Sequence, residues 1–354
     1  MGGTVFWNAD WFPELLLGGV VFVVGALLLG RLARQVKRRA VRAASEESTV
    51  NQPVGPNHAA LGGAAAKPAT EPLPAQIGRR RIEKKLGKGA MGEVFLGRDA
   101  GTGQLAAIKT LALAQAFAPD ELAEVRARFF REAETAGRLR HPGIVAILDS
   151  GEDGDLAFIA MEYLAGTDLR PFTRLGHLLS LPQVARVGAR IADALAYAHA
   201  NNVVHRDVKP ANVMYDPESD QVKVMDFGIA RIIDSSRTKT GMVLGTPSYM
   251  SPEQLLGKKV DGRTDLYSLG VMLYQMTCGQ LPFVGQSMGQ LMVRIANEAC
   301  PDVRTVNPLA PEALAAVVER ATRKEAAQRF QTGDEMARAL RACLAEAPDS
   351  EIAQ

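Results

Sequence analysis

The spacing of hydrophobic positions changes along this chain, and each spacing predicts a different kind of element. Residues 15–30 (LLLGGVVFVVGALLLG) form an uninterrupted apolar run without charge. Residues 120–140 and 181–200 carry apolar side chains at helical spacing, and residues 312–344 predict the closing helices. Short runs rich in β-favouring residues predict strands. These runs lie at residues 93–98, 105–109, 145–148, 157–161, 202–204 and 222–225.

The first apolar run predicts a transmembrane helix. A bilayer core requires about 17–25 helical residues, so we extend the span to residues 15–33 and let Arg31 reach the interface. Trp7 and Trp11 precede the run, six Lys and Arg residues follow it between Arg31 and Arg42, and none precedes it. A signal peptide would carry its positive charge first, and the cations that follow disfavour a soluble buried helix. We expect a single-pass anchor in the cytoplasmic (inner) membrane, with residues 1–14 outside and the rest in the cytoplasm.

The segment after the predicted anchor does not predict a folded unit. Residues 34–77 begin with basic side chains and continue with Ala, Pro, Gly and small polar residues, which predicts a flexible juxtamembrane linker. A folded domain is expected at residues 78–343, followed by a polar tail at residues 344–354. The short outer segment argues against direct sensing by an extracellular domain.

Charge and cysteine content exclude some classes of protein. The 41 Lys and Arg residues nearly balance the 39 Asp and Glu residues, so we expect no nucleic-acid partner. Cys278, Cys300 and Cys343 are far apart and match no metal or redox spacing. Such sparse cysteines are typical of a reducing compartment.

One stretch carries several reactive side chains at short, fixed spacing. It runs from His205 to Asn212 (HRDVKPAN), and Asp226-Phe227-Gly228 follows. Asp207 is suited to orient a hydroxyl and accept its proton, and Lys209 is suited to hold a moving phosphoryl group. Asn212 and Asp226 offer the hard oxygen ligands that Mg²⁺ prefers.

A glycine-rich segment precedes this stretch. Residues 87–94 match G-x-G-x-x-G-x-V, and the segment after the third glycine favours a strand. A dinucleotide-binding unit would continue into a helix, so the pattern predicts a β-hairpin whose backbone N–H groups approach phosphates. Lys109 ends the next predicted strand.

Together these motifs resemble the eukaryotic-type protein kinases in their Ser/Thr version, and they are similar to the bacterial Hanks-type family. The resemblance covers roughly residues 78–343. It implies an α+β, bilobal protein-kinase fold behind one transmembrane helix. The β-rich small lobe would take residues 78–161, the hinge residues 162–168 and the helical large lobe residues 169–343.

The resemblance also implies an ATP site with Mg²⁺, and with Mn²⁺ as an alternative cation. Lys109 would pair with Glu132, although Glu124 and Glu134 remain alternatives. The hinge would meet adenine, and Asp168 is either a ribose contact or a helix N-cap. The nucleotide-binding residues implied in this way are Leu86, Gly87, Gly89, Gly92, Val94, Ala107, Lys109, Glu162, Leu164, Asp168 and Met214.

A polar segment after Gly228 resembles a phosphorylation-switched activation loop. Thr238 and Thr240 are the expected phosphosites, and Arg206 is the expected receptor for the phosphate. Thr246 would bridge Asp207 and Lys209. The resemblance implies four further structural residues, with Glu253 paired to Arg329 and Asp265 bracing the catalytic loop. They are Phe227, Glu253, Asp265 and Arg329.

The expected function is transfer of the γ-phosphoryl of ATP to protein Ser and Thr hydroxyls in signal transduction, with autophosphorylation of the activation loop. Clustering in the membrane would favour activation in trans by a second copy. A pseudokinase scaffold and a small-molecule kinase are the rival classes. The complete catalytic set disfavours the first, and the peptide-binding loop around Thr246 disfavours the second.

Overall fold

This computed structural model describes most of the predicted folded domain. The described residues are 73–89, 92–113, 117, 119–227 and 247–345. The predicted anchor at residues 15–33, residues 1–14, most of the linker, and Thr238, Thr240 and Thr246 lie outside them. Within the described ranges, no helix has the length and apolar composition needed to cross a membrane.

The first part of the domain is a six-stranded antiparallel sheet in the order β1-β2-β3-β4-β6-β5. Alternating buried and half-buried side chains along β4 show why this segment is a strand with one face in the core. The strands are β1 Gln76–Ile77, β2 Arg80–Gly89, β3 Gly92–Asp99, β4 Leu105–Leu111, β5 Ile147–Asp153 and β6 Leu156–Glu162.

The sheet begins two residues before the predicted domain boundary at residue 78. Ile77 is 2% exposed and packs with Phe95 and Ile108, so burial draws this end of the predicted linker into the fold. Gly78 N–H also donates to the Asp153 carboxylate at 2.8 Å. The predicted flexibility of the linker is therefore wrong for Gln76 and Ile77.

One helix, α1 at Pro119–Gly137, packs against the six-stranded sheet. Its buried face consists of Val125, Phe129, Ala133 and Ala136, at the helical spacing that the sequence predicts. Glu132 lies on this helix and is half-buried.

The second part of the domain is helical. Helix α2 begins after the Ser180 cap, where the Ser180 and Gln183 side chains form a capping box. Helix α4 is buried along almost its whole length, from its Asp261 cap to Gly279, whose φ of 75° ends it. The helices are α2 Leu181–Ala200, α3 Pro252–Leu255, α4 Gly262–Cys278, α5 Met288–Asn297, α6 Glu312–Ala321 and α7 Gly333–Ala345.

A small three-stranded sheet lies beside these helices. Its strand order is β7-β8-β9, and neighbouring strands are antiparallel. The strands are β7 Thr167–Asp168, β8 Val213–Asp216 and β9 Gln221–Val224. The strand predicted at residues 202–204 is wrong. Asn202 has a φ of 61°, which belongs to a turn, and Val203 is buried without joining a sheet.

A buried ion pair joins distant parts of the helical region. Arg329 donates to Glu253 from both terminal nitrogens, at 2.7 and 2.8 Å, and forms the pair that the sequence predicts. The Arg329 side chain is fully buried. Burial alone raises the pKa of Glu253, but the hydrogen bonds and charge of Arg329, with the Thr264 hydroxyl, lower it to about 2.

We expect Glu253→Gln to lower the free energy of unfolding by about 3 kcal/mol at neutral pH. Because the pKa of Glu253 is depressed in the folded state, this stabilisation is present above the unfolded pKa and is lost as pH falls through the folded one. The difference in the free energy of unfolding between wild type and Glu253→Gln should therefore stay constant from pH 7 to about pH 5. It should become smaller below about pH 4.5. Urea unfolding across this range measures it.

Glu298→Gln is the matched control, because Glu298 pairs with Arg294 on the surface. It should change the free energy of unfolding by at most about 0.5 kcal/mol. Equal effects of the two substitutions would contradict a stabilising role for the buried pair.

Candidate active site

The segment from His205 to Asn212 is held by a carboxylate from helix α4. Asp265 is fully buried and accepts from His205 N–H at 2.8 Å and from Arg206 N–H at 2.7 Å. Its Oδ2 also lies 2.8 Å from His199 Nε2. Arg206 has a φ of 69°, which is costly for a non-glycine residue, so these bonds fix a strained backbone.

Three of the predicted catalytic side chains converge at this segment. The Asp207 carboxylate accepts from Lys209 Nζ at 2.6 Å and from Asn212 Nδ2 at 2.9 Å. Asn212 Nδ2 also donates to the Asp207 carbonyl at 2.8 Å. An acid, a cation and an amide are therefore fixed against each other by contacts within one short segment.

The second acidic segment is attached directly to the first. Met225 N–H donates to the Asn212 carbonyl at 3.0 Å, and His205 Nε2 lies 2.8 Å from the Met225 carbonyl. The buried Phe227 ring stacks at a tilt on His205, with centroids 4.6 Å apart. Asp226 itself has a φ of 66°, so its carboxylate leaves the strand end at a sharp turn.

Lys109 connects the catalytic and acidic segments to the six-stranded sheet. Its Nζ lies 2.8 Å from Asp226 Oδ2, across 117 positions of sequence. The sheet places Lys109 opposite Val94 on β3 and opposite Ile159 on β6. The predicted contact between Lys109 and Glu132 is not tested by this ion pair and stays a prediction.

The two predicted metal ligands have the right chemistry for a hard divalent cation. The Asn212 amide nitrogen is committed to Asp207, which leaves its oxygen as the available ligand. Asp226 supplies a carboxylate. Among the described residues, no group of three or more His, Cys, Asp or Glu side chains is arranged to hold a metal ion, and the predicted site uses one amide and one carboxylate. These residues fit Mg²⁺.

The glycine-rich segment is a β-hairpin, as the sequence predicts. Strands β2 and β3 pair with Gly87 opposite Val94 and Gly89 opposite Gly92. A Cβ on Gly92 would lie 1.7 Å from the Thr110 carbonyl oxygen, so only glycine permits this approach of β3 to β4. Leu86 lies on β2, one residue before Gly87, and is exposed.

The segment predicted as a hinge carries a polar contact that the sequence analysis missed. The Glu162 side chain accepts from Ala146 N–H at 2.8 Å and from Lys223 Nζ at 2.6 Å. Lys223 lies on β9, three residues before Asp226, so the pair links the hinge to the strand that leads to the acidic segment. The predicted adenine contacts of the Glu162 carbonyl and the Leu164 N–H stay predictions.

Asp168 lies on β7 opposite Met214 of β8. Its carboxylate accepts from Arg170 N–H at 2.9 Å, from Nε at 2.8 Å and from Nη2 at 2.7 Å. The 3₁₀ turn Pro171–Thr173 has no side-chain cap, so Asp168 is not the N-cap that the sequence left open. Burial raises the pKa of Asp168, but the hydrogen bonds and charge of Arg170 outweigh it and lower that pKa.

The contacts made by His199, Lys223 and Arg170 were not predicted. His199 and Lys223 act over 66 and 61 positions of sequence, and neither stands at a spacing that indicates its partner. The contact between Asp168 and Arg170 does have a local signal, because an Asp two residues before an Arg allows the guanidinium to fold back on the carboxylate. The same spacing produces equivalent forks at Asp261 with Arg263 and at Asp302 with Arg304.

Comparison with known proteins identifies the family of this chain. Residues 80–350 match the family model described as protein kinase domain. A probable serine/threonine-protein kinase of Streptomyces coelicolor is 40% identical over 274 residues, which cover 75% of this chain and 40% of that protein. PknB of Mycolicibacterium smegmatis is 39% identical, covering 77% of this chain and 44% of that one.

A solved structure shows the same fold. The kinase domain of Mycobacterium tuberculosis PknI is 32% identical with a TM-score of 0.61, and the match covers 77% of this chain and 99% of that one. This chain belongs to the protein kinase family. Its curated relatives named here are bacterial serine/threonine-protein kinases, and the chain spans 40 to 44% of their own length.

We expect Asp265→Ala to release the backbone of the catalytic segment. The amide protons of His205 and Arg206 should exchange with solvent at least about tenfold faster, because the loss of each bond to a charged acceptor removes about 1.5–3 kcal/mol. Native-state hydrogen exchange read by NMR measures this change. Asp302→Ala removes a surface carboxylate of similar fork geometry and should leave both amides unchanged; acceleration in both variants would indicate general loosening instead.

Proposed function

We propose that this chain is an ATP-dependent serine/threonine protein kinase that phosphorylates protein substrates and its own activation loop in signal transduction. The observation that carries the proposal is the convergence of Asp207, Lys209 and Asn212, with Asp226 and Lys109 attached to the same segment. The similarity to bacterial kinases over residues 80–350 supports it.

The chemistry assigned to each residue follows from these contacts. ATP bound with Mg²⁺ supplies the phosphoryl group, and Asn212 and Asp226 would hold the cation. Asp207 orients the substrate hydroxyl and takes its proton, since it is the carboxylate to whose Oδ2 both Lys209 and Asn212 donate. Lys209 is the cation beside that hydroxyl, and Lys109 is placed to align the phosphates.

Selectivity for Ser and Thr hydroxyls is part of the proposal. Lys209 beside the catalytic Asp207 is typical of the Ser/Thr version of this segment, and its Nζ lies 2.6 Å from the Asp207 carboxylate. Thr246 is the second residue that favours this class. We assign regulatory phosphorylation to Thr238 and Thr240, with Arg206 as the receptor. All three threonines lie outside the described residues.

We expect the full-length chain, incubated with Mg²⁺ and ATP, to phosphorylate itself on Thr238 or Thr240. Asp207→Asn should lower the rate by about 10²–10⁴-fold, because an amide cannot take the proton, while nucleotide binding persists. Phosphosite mapping by mass spectrometry and nucleotide titration measure the two properties. Glu218→Gln, on an exposed turn, is a control that should match the wild type. Nucleotide binding without phosphate transfer in the wild type would favour a pseudokinase scaffold instead.

We also propose that residues 15–33 anchor the kinase to the cytoplasmic membrane, with residues 1–14 outside. The support is the apolar run together with the cations that follow it. An anchored chain is concentrated in two dimensions, which favours phosphorylation in trans by a second copy.

We expect the full-length chain to remain with membranes after carbonate extraction and a chain starting at residue 75 to be released. Full-length kinase in liposomes should autophosphorylate at a rate that rises with its surface density, whereas detergent-solubilised kinase should need a higher bulk concentration. The same concentration dependence in liposomes and in detergent would exclude activation by clustering, and release of the full-length chain by carbonate would exclude the anchor.

A further inference from the structure

Two surface segments flank the catalytic segment, and each is attached to it by backbone or side-chain hydrogen bonds. On one side, Leu169 N–H donates to the carbonyls of Pro210 and Val213, both at 3.0 Å. On the other side, Gln254 Nε2 on helix α3 donates to the Arg206 carbonyl at 2.8 Å. Leu169 and Gln254 therefore hold these two segments directly beside the catalytic segment that carries Asp207.

The first flank is the loop that follows Leu169. Arg170 and Arg174 are both exposed in it. Arg170 covers the Asp168 carboxylate with a two-nitrogen fork, so the acidic side chain of this flank is neutralised by its neighbour. Arg174 remains as a cation that faces solvent next to the exposed Leu175.

The second flank is the turn after helix α3. Lys258 N–H bonds the Glu253 carbonyl at 2.9 Å, which fixes the turn against the helix. Lys258 and Lys259 are both exposed. Within the ranges that the structure describes, no ion pair involves Arg174, Lys258 or Lys259.

The carboxylates close to these flanks are already paired. Asp168 is bonded by Arg170, Asp207 by Lys209, and Asp261 by Arg263. Among the described residues, Arg174 on one flank and Lys258 and Lys259 on the other are therefore left without an acidic partner. Cations of this kind attract acidic side chains and repel basic ones, and they act mainly on encounter and binding.

We propose that Arg170, Arg174, Lys258 and Lys259 form a peptide-binding surface that selects substrates with acidic residues around the acceptor Ser or Thr. This inference rests on the proposed kinase function and names its substrate class. Arg170 acts by neutralising Asp168, whereas the other three side chains meet the acidic residues directly.

The test compares two peptides that share one acceptor Thr and differ only in carrying glutamates or lysines on both sides of it. Full-length kinase should use the glutamate peptide with a kcat/KM about tenfold higher at low salt, and the ratio should fall at high salt. Arg174→Glu and Lys258→Glu should each lower the ratio about threefold, and the triple variant with Lys259→Glu should abolish or reverse it.

Arg338→Glu is the matched control for the single variants. Arg338 is exposed on helix α7, and its substitution changes the net charge by the same amount as Arg174→Glu or Lys258→Glu. Arg338→Glu should leave the ratio unchanged.

A second pair of variants tests the contact between Arg170 and Asp168. Arg170→Ala uncovers the Asp168 carboxylate and should shift the ratio towards the lysine peptide. Arg304→Ala removes the equivalent fork on Asp302 and should have no effect.

Equal use of both peptides by a kinase that phosphorylates itself would overturn this inference and leave the proposed function standing. An unchanged ratio in the triple variant, or an equal shift with Arg338→Glu, would also overturn it. Absence of phosphate transfer to either peptide and to the kinase itself would instead reject the proposed function together with the inference that depends on it.

Discussion

The buried carboxylate of Asp265 is the constraint on which the rest of the site depends. A carboxyl group with no exposed surface is costly unless polar partners surround it, and here two backbone N–H groups donate to it and His199 Nε2 lies 2.8 Å away. In return, Arg206 is held at a φ of 69°, which turns the chain so that Asp207, Lys209 and Asn212 converge. The hydrogen bonds that the buried Asp265 needs are thus the bonds that hold the strained loop in place.

The hydrogen bonds of Asp265 affect more than the loop itself, because neighbouring elements bond to the same stretch of backbone. Helix α3 contacts the Arg206 carbonyl through Gln254, and α3 is in turn held by the Glu253 pair with Arg329. Met225 and His205 tie the acidic segment to the loop, and Lys109 then reaches Asp226 from the six-stranded sheet. Displacing the Asp265 carboxylate would therefore disturb helix α3 and the contact between Lys109 and Asp226 together.

The amino-acid sequence predicts the parts of the site that are local in sequence or carried by a motif. Asp207, Lys209 and Asn212 are within five residues, so their convergence follows from one short loop. The helices at 120–140 and 181–200 follow from periodicity, and the structure shows them at Pro119–Gly137 and Leu181–Ala200. The strand predicted at residues 202–204 failed because β propensity depends on context, and the φ of 61° at Asn202 makes a turn there.

Contacts between distant polar residues mark the limit of that prediction. Nothing in the spacing of Lys223 indicates that it bonds Glu162 across 61 positions, since the partner is set by how the sheets and helices pack. Exposed charges are different again. Arg174, Lys258 and Lys259 contribute little to stability, because surface charges are well solvated, so folding places no constraint on their sign. Under the proposal that these side chains select the substrate, its preference can change at these positions while the hydrogen bonds of the buried Asp265, and with them the geometry of the catalytic segment, stay the same.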